Sequence, residues 1–162
     1  MADPEIVVEH PNRETAAAKA TRGTVIALLL VSALLLVVVS AGGWDALVGA
    51  KALHVIYVVL YVGMALLVAR WSRGTLPVAA ALAILLAIFG AVSVPGWIAR
   101  DKDGFTDPAL ASDVLGLLCA LLVLLQVLLI AFAMRGFRQA WNVEVEQPAE
   151  RGPRGRPAAA PA

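Results

Sequence analysis

Four long apolar blocks separated by short polar connections dominate the chain. The first, Val25–Ala41, is interrupted only by Ser32 and Ser40. The second, Ala52–Ala69, holds His54 as its one ionisable residue, and the third and fourth are Leu76–Val94 and Val114–Met134. A helix rises about 1.5 Å per residue, so roughly 20 residues cross a hydrocarbon core of about 30 Å. The pattern therefore predicts an all-α polytopic membrane protein, a bundle of four antiparallel transmembrane helices. The expected membrane domain is 24–141, with spans near 24–43, 46–69, 75–97 and 109–134.

Local signals set the expected boundaries. Asp45 can cap the second helix, and Arg70–Gly74 is so short that spans two and three must be antiparallel neighbours. Pro77 falls in the first turn of the third span, where a missing N–H costs nothing, and Pro95-Gly96 ends or kinks that span. Asp107-Pro108 suits the start of the fourth helix. Residues 1–23 form a polar segment in which 15–20 can make a short helix, separated by Gly23 from the first span. Residues 142–162, rich in Pro, Arg, Gly and Ala, are predicted to be a disordered tail. Val39-Ser40-Ala41 resembles a signal-cleavage site. The polar lead is long, however, and the apolar run exceeds the usual length of about 7–15 residues, so retention of the first span is expected.

Charge distribution gives an orientation, although a net charge of +1 says little by itself. Arg13, Lys19, Arg22, Arg70, Arg73, Arg135, Arg138, Arg151, Arg154 and Arg156 fall on one predicted side, against Lys51, Arg100 and Lys102 on the other. The positive-inside rule then puts both termini in the cytoplasm. Trp44 and Trp97 flank the outer surface and Trp71 and Trp141 the inner one, as expected of interface anchors. The chain is 60% hydrophobic, with a mean hydropathy of +0.83. Its excess of Arg over Lys is common in GC-rich genomes and points to a bacterial plasma membrane. Cys119 is the one cysteine, so a disulfide within the chain is excluded.

Helices in lipid associate through close packing and hydrogen bonds. Ala79, Ala83, Ala87 and Ala91, at four-residue spacing, form a predicted packing seam, with Gly116 and Ala120 a shorter one. Counted inward from Arg22, Arg70 and Arg135, the residues Ser32, Tyr61 and Gln126 all lie roughly 14–15 Å deep, near the midplane. An unpaired amide there would cost a few kcal/mol, so Gln126 is expected to bond Tyr61, Ser32 or a backbone carbonyl.

Lys51, His54, Tyr57 and Tyr61 share one face of span two, the most polar stripe within the spans. A structural or interfacial His54 is the plainer reading; as a site, the stripe would suit a proton-sensitive group, a quinone contact or one haem ligand. His54 shares its depth with Cys119, but one His and one Cys fall short of a zinc set. The other histidine, His10, lies outside the spans, which leaves paired haem ligation without a second ligand. The loop Arg100–Asp107 echoes part of a calcium loop through Asp101, Asp103, Gly104 and Asp107. The first and last ligand positions would fall on Ala99 and Leu110, which cannot coordinate through their side chains. An acidic turn is the plainer reading, and no metal is expected.

No residue set carries a catalytic or cofactor signature. There is no carboxylate in the first span, as small multidrug transporters need, no cysteine pair for thiol chemistry, and no Gly-rich phosphate loop. The arginines of the tail suit lipid headgroups more than nucleic acid. The expected function is non-catalytic: an accessory, assembly or scaffold component of a membrane complex, partnered by lipid and by copies of itself or a larger assembly. The alternative is a small transporter or channel using the stripe on span two.

Overall fold

The structure is a computed structural model that describes residues 6–100 and 108–148. These residues are mostly helical, with turns between the helices and one short ladder. In chain order they form β1 (Ile6–Glu9), α1 (Pro11–Glu14), α2 (Ala16–Gly42), α3 (Lys51–Ala69), α4 (Thr75–Ile98), α5 (Ser112–Arg138) and β2 (Val145–Pro148). The last four helices are long and apolar enough to cross a membrane. At 19 residues α3 is about 28 Å long, whereas α2 and α5, at 27 residues, reach about 40 Å.

Several boundaries differ from those the sequence suggests, each for a local reason. α2 starts at Ala16 and runs through Gly23 without a break, because the Thr15 hydroxyl accepts from Ala18 N–H and caps it there. α3 starts at Lys51, and Asp45 is not its cap. Residues 43–50 form turns instead, with Gly49 at φ 81. α4 passes Pro95 and ends at Ile98. Pro95 has no N–H to give to Ala91 O, but the helix continues past it and Ala99 N–H reaches Pro95 O at 2.9 Å. α5 starts at Ser112, after Pro108, and continues to Arg138. Residues 145–148, expected within a structureless tail, instead form β2, which pairs antiparallel with β1 in the register Val8↔Glu146.

Burial on the long helices follows the alternating three- and four-residue spacing of knobs-into-holes packing. On α5 the buried positions are Leu115 with its neighbour Gly116, then Cys119, Leu122, Gln126, Leu129, Ala133 and Gly136. On α4 they include Leu76, Ala79, Ala83, Leu86, Gly90 and Trp97. That spacing corrects the strict alanine seam. Ala79 and Ala83 are buried, Ala87 is half-buried and Ala91 is exposed. Each four-residue step overshoots a full turn by about 40°, so three steps carry Ala91 about 120° off the contact face. Gly90 takes the position instead, and a Cβ there would lie 2.9 Å from Val123 Cγ2 of α5. Gly116 is buried against Trp97 and Ile98, and Ala120 is half-buried.

The main core lies among all four long helices, with Tyr61, Leu29, Leu76 and Leu129 fully enclosed. A smaller cluster of Val39, Trp97, Leu115 and Cys119 closes the end near Arg100. At the opposite end, arginines cap what the helix termini leave open. Arg22 of α2 donates to Val68 O and Ala69 O at the end of α3, and its guanidinium lies 4.5 Å from the Trp71 ring centre. Arg73 Nε donates to Phe137 O of α5.

Candidate functional site

Two polar constellations sit among the apolar helices. The first joins α2, α3 and α5. Burial of Gln126 and Ser32 is complete, as is that of Tyr61. The Tyr61 hydroxyl donates to Gln126 Oε1 at 2.7 Å. Gln126 Nε2 donates to Ser32 Oγ at 3.0 Å and to Leu122 O, one turn back on its own helix, at 3.1 Å. Both amide hydrogens and the amide oxygen are thereby used. The sequence depth count placed these three side chains at one level, and the structure brings them into one network. The network is fully enclosed. It has no free donor aimed at an opening, and it fixes the rotation of three helices against one another.

The second constellation lies nearer the Arg100 end, between α2 and α3. Ser40 Oγ is 2.6 Å from Leu36 O and 2.7 Å from His54 Nδ1. These two side chains are the polar part of an open groove of about 320 Å³, otherwise walled by Val37, Ala41, Trp44, Val55, Val58 and Val59. From sequence alone His54 stands out without a partner, and Ser40 only as part of a cleavage-like triplet. The signal was available. Ser40 is eighteen residues from Arg22 and His54 sixteen from Arg70, which puts both at roughly 24–27 Å along their helices.

The polar stripe of α3 is dispersed among different neighbours. Lys51 Nζ lies over the Trp44 ring at 4.6 Å, and His54 meets Ser40. The Tyr57 hydroxyl reaches Leu82 O of α4 at 3.4 Å, and Tyr61 meets Gln126. Cys119 is in the Val39–Trp97 cluster. Among the described residues no three His, Cys, Asp or Glu side chains come together as a metal-holding group. Asp101, Asp103 and Asp107 lie outside the described residues.

The tryptophans divide into two kinds. Trp44 is exposed and Trp71 half-buried, as a lipid-facing anchor would be. Trp97 and Trp141 are buried inside the protein instead. Each fills the space beside a glycine: Trp97 against Gly43 and Gly116, and Trp141 against Gly136. Trp141 also meets Trp71 edge to face, with ring centres 5.2 Å apart. The helix-capping roles of Arg22 and Arg73 were not foreseen, because a carbonyl acceptor leaves no mark in sequence. No family model, curated protein or solved structure matches the chain.

Proposed function

We propose that the chain is an integral protein of a bacterial plasma membrane, crossing it four times as an antiparallel bundle with both termini in the cytoplasm. On this reading it is a non-catalytic accessory, assembly or scaffold component of a membrane complex. The observation that carries the reading is how Gln126 is used. It is the amide within four apolar helices, and it is spent entirely on Tyr61, Ser32 and Leu122. A transport or catalytic site needs polar groups free to engage a substrate, whereas a packing element needs them paired.

The transporter alternative rests on the α3 stripe. Its four polar heads turn to four different neighbours, which favours the packing role over a continuous path. The pairing of β1 with β2 supports both termini being on one side, and the excess of arginine there supports the cytoplasmic side.

Extraction of native membranes in a mild detergent, followed by affinity isolation of the full chain, tests the proposal. The expected result is a stoichiometric larger complex whose other subunits name the process. A homogeneous oligomer of this chain alone would overturn the accessory reading and turn attention to transport assays.

A further inference from the structure

We propose that the groove between α2 and α3 holds one acyl chain of an anionic phospholipid, from the leaflet opposite the termini, with the lipid phosphate at Lys51. The inference rests on the membrane insertion proposed above.

Depth sets the first constraint. The connection 43–50 joins α2 to α3 at the end of the groove that carries Trp44 and Lys51. Lys51 is nineteen residues from Arg70, Val37 fifteen from Arg22 and Val59 eleven from Arg70. At 1.5 Å per residue they lie roughly 28, 22 and 16 Å along their helices, against a hydrocarbon core of about 30 Å. On the membrane reading, a groove lined by Val37 and Val59 runs from the outer interface to near the midplane. That is the direction and reach of a chain in one leaflet.

Lining and size agree with a chain. The accessible surface is almost wholly apolar, and Ser40 Oγ and His54 Nδ1 are turned on each other at 2.7 Å. A volume of about 320 Å³ is at the lower end of small-molecule sites, roughly 300–1,000 Å³. It takes a chain segment, so a headgroup must lie outside, beyond Trp44.

Charge complementarity at that end selects the headgroup. The Lys51 ammonium stands 4.6 Å from the centre of the Trp44 ring, and Trp44 lines the groove. Among the described residues Lys51 has no ion pair, and Asp45, exposed in the same connection, does not form one with it. An ammonium with three donors is thus held over an aromatic face at the head of an apolar groove. A phosphodiester supplies both the acceptors and the opposite charge. A zwitterionic headgroup brings a cation of its own, so a lipid of net negative charge is favoured. By contrast α4 is apolar along its exposed face and carries no Lys or Arg.

The test uses the full chain in nanodiscs of mixed phosphatidylcholine and phosphatidylglycerol. The probes are phosphatidylglycerol and phosphatidylcholine carrying a photoreactive diazirine midway along one acyl chain, with adducts mapped by mass spectrometry. The glycerol probe is expected to label Val37, Ala41, Val55 and Val59 about fivefold more than the choline probe, the effect of one lysine at a headgroup. Ile84 and Ile88 of α4 are expected to take both probes equally. Lys51→Gln should abolish the difference at the groove. Ala41→Leu, a larger apolar side chain at an exposed position, should remove groove adducts of both probes while thermal unfolding stays unchanged. Groove labelling no stronger than that of α4, equal labelling by the two probes, or a preference that survives Lys51→Gln would overturn the lipid site. A groove that is labelled in nanodiscs but protected in intact membranes would overturn it in favour of a covering protein helix. Failure of the chain to co-elute with nanodiscs would instead overturn the membrane reading beneath it.

Discussion

Tyr61 and Gln126, 65 residues apart in sequence, meet through a 2.7 Å hydrogen bond that joins α3 to α5. The amide then passes the connection on to Ser32 of α2. A bond of this kind stabilises modestly when made and costs more when half of it is left buried. That asymmetry governs how the packed helices respond to substitution.

Gln126→Leu removes the amide at nearly constant volume and strands the Tyr61 and Ser32 hydroxyls. It is expected to destabilise by about 1–2 kcal/mol, and Tyr61→Phe alone by about 0.5–1.5 kcal/mol. Tyr61→Phe combined with Gln126→Leu should cost less than the sum, because each removes the other's unpaired group. Unfolding in bicelles across the double-mutant cycle measures this. Strict additivity would show that the two side chains do not interact.

Glycine positions make a second contrast. A Cβ on Gly90 would lie 2.9 Å from Val123 Cγ2, whereas nothing stands within 4 Å of one on Gly63. Gly90→Leu is expected to push α4 from α5 and cost about 1–3 kcal/mol. Gly63→Ala is expected to be neutral or to stabilise by up to about 1 kcal/mol, through helix propensity. Thermal unfolding of the two variants in one detergent compares them, and equal melting points would contradict the assigned helix contact.

These cases mark what was legible in the sequence. Four apolar helices are legible because length and composition suffice for them. The level shared by Ser32, Tyr61 and Gln126 is legible because rise per residue converts position into depth. Rotation is harder to read. The alanine seam is a regular string, but a four-residue repeat drifts around a helix, and only the facing helix decides that Gly90 replaces Ala91. Partners lying on different elements are hidden for the same reason: nothing in Arg22 announces the carbonyls of Val68 and Ala69. The buried state of Trp141 depends likewise on the missing side chain of Gly136.

Trp71 follows the C-cap of α3 with φ 63, a left-handed position that usually takes glycine. Ser72 N–H to Leu67 O and Trp71 N–H to Val68 O complete the capping motif. The backbone cost of about 1–2 kcal/mol is offset by the ring's contacts with Trp141 and Arg22. Trp71→Ala keeps the strain and loses the contacts, while Trp71→Gly loses both. The glycine variant is therefore expected to be the more stable of the two by about 1 kcal/mol. Chemical denaturation in micelles ranks them, and the reverse order would mean that the turn is not left-handed.

Lys19 Nζ lies 2.8 Å from Glu14 Oε2 and holds that carboxyl below its ordinary value of 4.5 through a hydrogen bond and charge. A folded-state pKa below the unfolded one means the pair contributes above the unfolded value and is lost as pH falls through the folded one. Both groups are exposed, so the global melting point should not respond. The expected signature is local: a Glu14 carboxyl NMR titration midpoint below 4.5 that Lys19→Met returns to the ordinary range. A midpoint indifferent to Lys19→Met would remove the pair from solution.

The two ends of the described chain are tied before they pair. Asn12 Nδ2 donates to Ala140 O at 3.1 Å and Arg13 Nε to Trp141 O at 2.8 Å, directly beside the β1–β2 ladder. A two-stranded ladder is marginal by itself in water, so these tethers are expected to decide whether it forms. Val8 and Glu146 are register partners, and opposed Cα atoms in such a ladder fall within disulfide range, about 4.4–6.8 Å. In a Cys119→Ser background, Val8→Cys with Glu146→Cys should therefore crosslink on mild oxidation. Adding Asn12→Ala and Arg13→Ala should lower the yield several-fold while the helices melt unchanged. An oxidant that cannot cross membranes extends the same experiment. Crosslinking in inverted vesicles but not in right-side-out cells would place both ends in the cytoplasm, and crosslinking only from outside would reverse the proposed orientation. No crosslink in either preparation would mean that the strands do not pair, which would remove the ladder's support for an even number of crossings.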